Sequence, residues 1–174
     1  MPKQSAGILL YKIENDSLKV LLVHPGGPFW AKKDNGVWSI PKGEYEPKDN
    51  ALKAAKREFE EEIGSQSPES HYEEIGEVHM KSGKAVRAWA VEGDLDVNKI
   101  KSNTFEMQWP PRSGQIQTFS EVDKAEWFES PVAKVKINMA QIPFVERLEK
   151  LLKIKQTTDD LNSKSNMQRS LFEN

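Results

Sequence analysis

Between Arg57 and Gly64 the chain reads REFEEEIG, with four glutamates in five positions: Glu58, Glu60, Glu61 and Glu62. Carboxylates at this density either coat a solvated face or gather around a cation. On a helical wheel of about 100° per residue, with Glu58 at zero, Glu61 falls near about −60° and Glu62 near about +40°. These three acids share one arc with the small Ala51 and Ala54, while Glu60 points the opposite way. Leu52, Phe59 and Ile63 cluster on the stripe that should face a core. Three like charges on one flank repel, and the Glu58–Glu62 pair at i, i+4 is destabilising by itself. The pattern therefore asks for a positive partner. Oxygen ligands with no cysteine or histidine beside them select a hard ion, Mg²⁺ or Mn²⁺. A solvated acidic face is the plain alternative.

Other chemistries find no residues to carry them. The chain has no cysteine, which excludes disulfides, thiol catalysis and cysteine zinc sites. A phosphate-cradling G-x-x-x-x-G-K-[ST] loop is missing, since Gly83-Lys84 would need a glycine at Val78 and a hydroxyl at Ala85. His24, His71 and His79 show no metal-ligand spacing, and no motif supports Ser-His-Asp chemistry.

The spacing of the flanking residues decides between the two readings of the acids. Gly43, Arg57, Glu58, Glu61, Glu62 and Gly64 match six of the seven fixed letters of G-x5-E-x7-R-E-U-x-E-E-x-G-U, where U is bulky and apolar, and Phe59 fits the first U. The chain resembles the Nudix hydrolase family. Two positions depart: Asp49 stands where the box has its first glutamate, and Ser65 where it ends apolar. Asp49 also has a structural reading, as the N-cap of the helix.

The resemblance covers about residues 5–153 and implies an α+β fold, a Nudix α/β/α sandwich whose mixed sheet lies between the box helix and a C-terminal helix. It implies a metal-dependent pyrophosphohydrolase that cuts a phosphoanhydride in a nucleoside-diphosphate-linked substrate. Carried over, Glu58 and Glu62 are metal ligands, Glu61 is a ligand or the general base, and the Gly43 carbonyl is a further ligand. Arg57 orients a box carboxylate. Glu121 is a distal candidate for a fourth ligand or base, or equally an exposed acid before a strand.

Substrate choice rests on three segments. WSIPKG (38–43) resembles the W-x-x-P-K-G entry of asymmetric diadenosine tetraphosphate hydrolases and of mRNA-decapping relatives. There Lys42 either reaches a phosphate or is solvated, and Trp38 reads as core. HPGGPFWAKK (24–33) offers Phe29 or Trp30 to stack a base and Lys32 or Lys33 to hold phosphates, or else packs its own aromatics. FEMQWPPRSGQ (105–115) offers Trp109 and Arg112 as specificity residues. Dinucleoside polyphosphates are favoured, with nucleoside triphosphates as the alternative. A nucleotide- or RNA-binding domain without catalysis is the alternative of another class, and the retained Arg57-Glu58 and Glu61-Glu62 argue against it.

The elements that must position these groups follow from pattern. GILLYKI (7–13) and LKVLLVH (18–24) read as a hairpin across a short turn. Residues 24–36 are a loop, 37–41 a short strand, and 50–63 a helix closed by Gly64 as its C′ residue. YEEIGEVHM and AVRAWAVEG are strands, PPRSG (110–114) interrupts, and KAEWFE is a last strand. AQIPFVERLEKLLKI closes the fold as a helix with Ile142, Val145, Leu148 and Leu152 on one stripe. Strands and helices mix without regular alternation, which favours α+β. The length of 174 residues suits one domain, taken as 1–155, with a polar and flexible tail at 156–174. Its 25 basic against 27 acidic residues advertise neither nucleic-acid nor anionic-membrane binding and disfavour decapping. No apolar run is long enough for a signal peptide or a membrane span, so a cytoplasmic protein is expected.

Overall fold

Strand β1 (Gln4–Glu14) alternates its side chains between two cores: Ala6, Ile8 and Leu10 on one face, Leu9 and Tyr11 on the other. A strand buried on both faces needs a helical layer on each side. The computed structural model, which describes residues 3–172 apart from the side chains of 154–158 and 171–172, supplies both. Strand β2 (Ser17–Pro25) returns from β1 across Asn15-Asp16, both with positive φ (53° and 60°) as a two-residue hairpin turn requires.

The rest of the sheet is built from β3 (Lys42–Tyr45), β4 (Glu73–His79), β5 (Ala85–Glu92) and β8 (Val122–Glu129). Its order is β4-β5-β1-β2-β8, with β3 also on β1. All pairings are antiparallel except β1 with β5, so the sheet is mixed. Helix α1 (Ala51–Ile63) covers one face through Ala54, Ala55, Phe59 and Ile63. Helices α2 (Ser130–Lys136) and α3 (Ile142–Phe172) cover the other, α3 with Phe144, Val145 and Leu148 fully buried and Ile142 and Leu152 packed beside them. The expected sandwich is the observed one.

Several details differ from expectation. Residues 37–41 form no strand of their own: they make isolated bridges, Val23 to Ser39 and Trp38 to Ile137, and the strand begins at Lys42. The reason is geometric. One edge of β1 is shared, by β2 at Tyr11–Glu14 and by β3 at Gln4–Gly7, and the 38–41 segment wedges where the two diverge. The Ile8 amide bonds the Pro41 carbonyl there at 3.1 Å. Asn50, not Asp49, caps α1, accepting from the Lys53 amide at 3.0 Å; Asp49 instead accepts from the Glu46 amide, closing the preceding turn. The region around PPRSG is a hairpin, β6 (Thr104–Gln108) and β7 (Ile116–Ser120), forming a separate two-stranded sheet. Polar residues on one of its faces hid it from pattern reading. Finally, α3 continues to Phe172, so the stretch from Gln156 is helical rather than irregular, with residues 159–170 exposed. Residues 1–2 and 173–174, at the outer ends of the two expected ranges, lie outside the described residues. No described helix is long and apolar enough to cross a membrane.

Candidate active site

The four acids of α1 differ in exposure. Glu60 is exposed, Glu62 is sunk beside the sheet, Glu58 is mostly covered, and Glu61 stands at the rim. Glu62 accepts a hydrogen bond from the Lys42 backbone amide, but its Oε2 is buried without any partner. Burial is the first cause that pushes its pKa up to about 8, Glu58 and Glu121 adding repulsion while the Lys42 ammonium pulls the other way. Glu58 is also raised, by burial first and by Glu61 next, against the Arg57 guanidinium. Lys42 is lowered by burial, with Glu62 opposing. Lys42 is thus half-buried within electrostatic reach of Glu62, Glu44 and Glu58 rather than fully solvated, a setting that the turn-like sequence around it did not reveal.

Gly43 is where β3 meets α1. A Cβ built on it would lie 2.0 Å from the Glu58 carboxylate, so only glycine lets that carboxylate rest against the backbone. Arg57 sits over the same group at 3.4 Å from Glu58 Oε1, with Glu61 Oε1 at 3.9 Å. At 51% side-chain exposure Arg57 is held loosely, so this ion pair adds little to the stability of the fold.

Glu121 joins the α1 acids through backbone. The last carbonyls of a helix lack partners within it. Here Glu61 and Ile63 find them in the amides of Asn103 (2.9 Å) and Lys101 (2.8 Å). The Asn103 carbonyl then accepts from the Glu121 amide at 2.8 Å. Gly64, at φ 88°, keeps the approach open, because a Cβ there would meet the Lys101 carbonyl at 2.6 Å. Residues 101–103 therefore strap the C-terminal end of α1 to Glu121, a link sequence reading missed because nothing in KSN looks functional. The exposed Glu121 lies close enough for its charge to raise both Glu58 and Glu62.

The two loops expected to choose the substrate converge at the same end. The Gly26 amide bonds the Glu121 carbonyl at 2.9 Å. Phe105, on one face of the β6–β7 hairpin, packs on Gly27, and Phe29 meets Trp109 edge to face at 5.5 Å. Trp109 is thus half-buried against Phe29, a strut between two loops rather than a free platform. Trp30 is 40% exposed, with Lys33 Nζ 5.0 Å from its ring centre. Lys32 and Arg112 are exposed. Trp38 is buried as expected, its indole donating to Asp34.

These residues fit a divalent cation. Glu62 offers an unpartnered buried oxygen, Glu58 is cradled against Gly43, and the donors are all hard oxygens. The acids stand apart rather than in a closed cage, for among the described residues no three His, Asp or Glu groups are gathered closely enough to hold an ion.

The model of the NUDIX domain matches residues 1–148, and the chain belongs to the Nudix family as a hydrolase acting on phosphoanhydrides. No curated protein matches it. Among solved structures it is similar to an Ap4A hydrolase from C. elegans in a binary complex, at 18% identity and a TM-score of 0.60, covering 86% of this chain and 98% of that one. A mutT/nudix protein from Listeria innocua matches at 14% identity and a TM-score of 0.60 over 91% and 99%. The NUDIX domain of Shewanella oneidensis NrtR, in complex with ADP ribose, matches at 15% identity and a TM-score of 0.59 over 87% and 89%. At such identities the likeness is one of fold.

Proposed function

We propose that the protein is a Mg²⁺- or Mn²⁺-dependent pyrophosphohydrolase of nucleotide substrates, with dinucleoside polyphosphates preferred over nucleoside triphosphates. The observation that carries the metal requirement is Glu62: a buried carboxylate with one oxygen unpartnered, beside a second raised acid. Glu58, Glu62 and the Gly43 carbonyl hold the cation, and Glu61 completes the set or takes a proton. When bound, the ion neutralises phosphate oxygens and acidifies the attacking water. Arg57 keeps Glu58 in place, and Lys42 balances part of the acids' charge. Glu61 at the rim, only loosely paired with Arg57, and Glu121 across from it are the two carboxylates placed to position a water and accept its proton.

The substrate preference is supported by Trp30, an exposed indole with a lysine ammonium above it, on the loop that starts at Glu121's backbone. Such a pair suits a base next to a phosphate. Lys32 and Arg112 supply further exposed cations, and Trp109 holds the opposing hairpin in place. The similarity in fold to the C. elegans Ap4A hydrolase supports the same preference. The test is a substrate panel with Mg²⁺ or Mn²⁺ (dinucleoside polyphosphates, sugar nucleotides, triphosphates), products being separated by anion exchange. Hydrolysis by the wild type and not by Glu58→Gln, fastest for a dinucleoside polyphosphate, is expected. If no compound is cut faster by the wild type than by the variant, the reading fails.

A further inference from the structure

His24 is 1% exposed and belongs neither to the box nor to the strap that carries Glu121. Nothing in the metal chemistry uses it, yet both ring nitrogens are engaged. Nε2 lies 2.7 Å from the Lys33 carbonyl and Nδ1 2.8 Å from Asp123 Oδ1. A carbonyl can only accept, so Nε2 donates to it.

Each partner has a place in the site. Asp123 is the extra residue of a β-bulge: His24 pairs with Lys124 and Pro25 with Val122, leaving Asp123 unmatched. That bulge follows Glu121 by two residues. Lys33 closes the turn that carries Trp30, its amide donating to the Trp30 carbonyl at 2.9 Å while its ammonium sits over the Trp30 ring. Beyond Lys33 the loop is tied elsewhere. The Trp38 indole and Lys136 both bond Asp34, and the Gly36 amide bonds the end of α2. The Gly26 amide on the Glu121 carbonyl and Phe29 on Trp109 hold the start of the loop, and the bond from His24 to the Lys33 carbonyl ties the far end of the Trp30 turn to the β8 bulge. The buried Trp38 ring packs against the imidazole edge to face, ring centres 5.1 Å apart, and helps hold it in this orientation.

We infer that His24 is a positioning residue, tethering the Trp30–Lys33 turn to the β8 bulge so that indole and ammonium are held as a ready platform for the nucleotide. The inference rests on the reading of that loop as the nucleotide-binding one, so its test has one arm that needs no turnover. The amide of asparagine falls where Nδ1 lies and keeps Asp123 while losing Lys33; that of glutamine falls where Nε2 lies and keeps Lys33. His24→Asn should therefore speed hydrogen exchange of the peptide 26–36 by about tenfold, the worth of one good hydrogen bond. It should raise KM by about the same factor while kcat moves much less. His24→Gln should recover most of both, and peptides from β1 and β5 should exchange alike in all three proteins. If His24→Asn leaves the loop's exchange unchanged, or if both variants loosen loop and strands alike, His24 is only core packing and the inference falls. Failure of the wild type on every substrate would count against the pyrophosphohydrolase reading, and the exchange arm would still decide this one.

Discussion

Removing the charge of Glu62 should stabilise the metal-free protein, and by more as pH rises. An acid whose pKa is higher folded than unfolded binds its proton more tightly in the native state. Between the two values the native state holds more protons, so stability falls as pH rises. For Glu62 the window runs from the ordinary 4.5 to about 8. At about 1.4 kcal/mol per pH unit, the full window corresponds to at most about 5 kcal/mol. Water entry and side-chain rotation lower this, and the Gln variant leaves Lys42 without its partner, so about 2–3 kcal/mol is expected at pH 8, or about 5–10 °C in a domain of this size. The assay is thermal unfolding of wild type and Glu62→Gln in EDTA from pH 5 to 9. The gap in favour of the variant should widen up to about pH 8 and flatten above it, its slope carrying the test. Mg²⁺ at pH 8 should then raise the wild-type Tm more than the variant's, by mass action on the folded state. Parallel curves in EDTA across the whole range would refute the claim that this carboxylate is buried and only partly offset by Lys42.

Three further outcomes follow from the same geometry. Glu58→Gln should lower kcat by about two orders of magnitude or more in a folded protein, whereas Glu60→Gln, on the exposed side of α1, should be nearly silent in the same assay. Gly43→Ala should fold with a Tm close to wild type, because the atoms it would strike are the movable end of Glu58, and should lose metal-dependent activity; full activity would show that the cradle is not used. Trp30→Ala should raise KM for a dinucleoside polyphosphate by about five- to 150-fold, the worth of about 1–3 kcal/mol of stacking, with a smaller effect on kcat. Equal KM values for both proteins would remove Trp30 from the site.

The box was legible because it is local: a helix places Glu58, Glu61 and Glu62 on one arc by period alone, with Glu60 turned away from them and exposed. The hairpin at the N-terminus and the stripe of α3 were legible for the same reason. What remained hidden depends on contacts distant in sequence. Lys42 looks solvated until the fold lays β3 beside α1. Trp109 looks like a free platform until Phe29 is brought against it. The strap at 101–103 is three polar residues whose role lies in their backbone amides, to which side-chain patterns are blind. Residues 37–41 have strand-like composition, but the space between β1 and β2 admits only a wedge.

The one parallel pairing of the sheet joins Gln4 to Ala85, residues 81 apart (85 − 4), along the whole length of β5. Gly43, Lys42 and the entire box helix lie inside the loop that this pairing closes. Contacts of such separation are made late and slow folding, so the cradle is not a module that a local fragment could assemble. α1 can form its turns early, but its acids meet β3 only when β1 has accepted both partners. Trimming the first residues of β1 should therefore disable the proposed cation site from a distance, by unseating the strand that carries Gly43 before any carboxylate is touched. A folding intermediate with the helix formed would bind metal weakly. Cation affinity followed during refolding would then report closure of the central pair, long after helical signal has saturated.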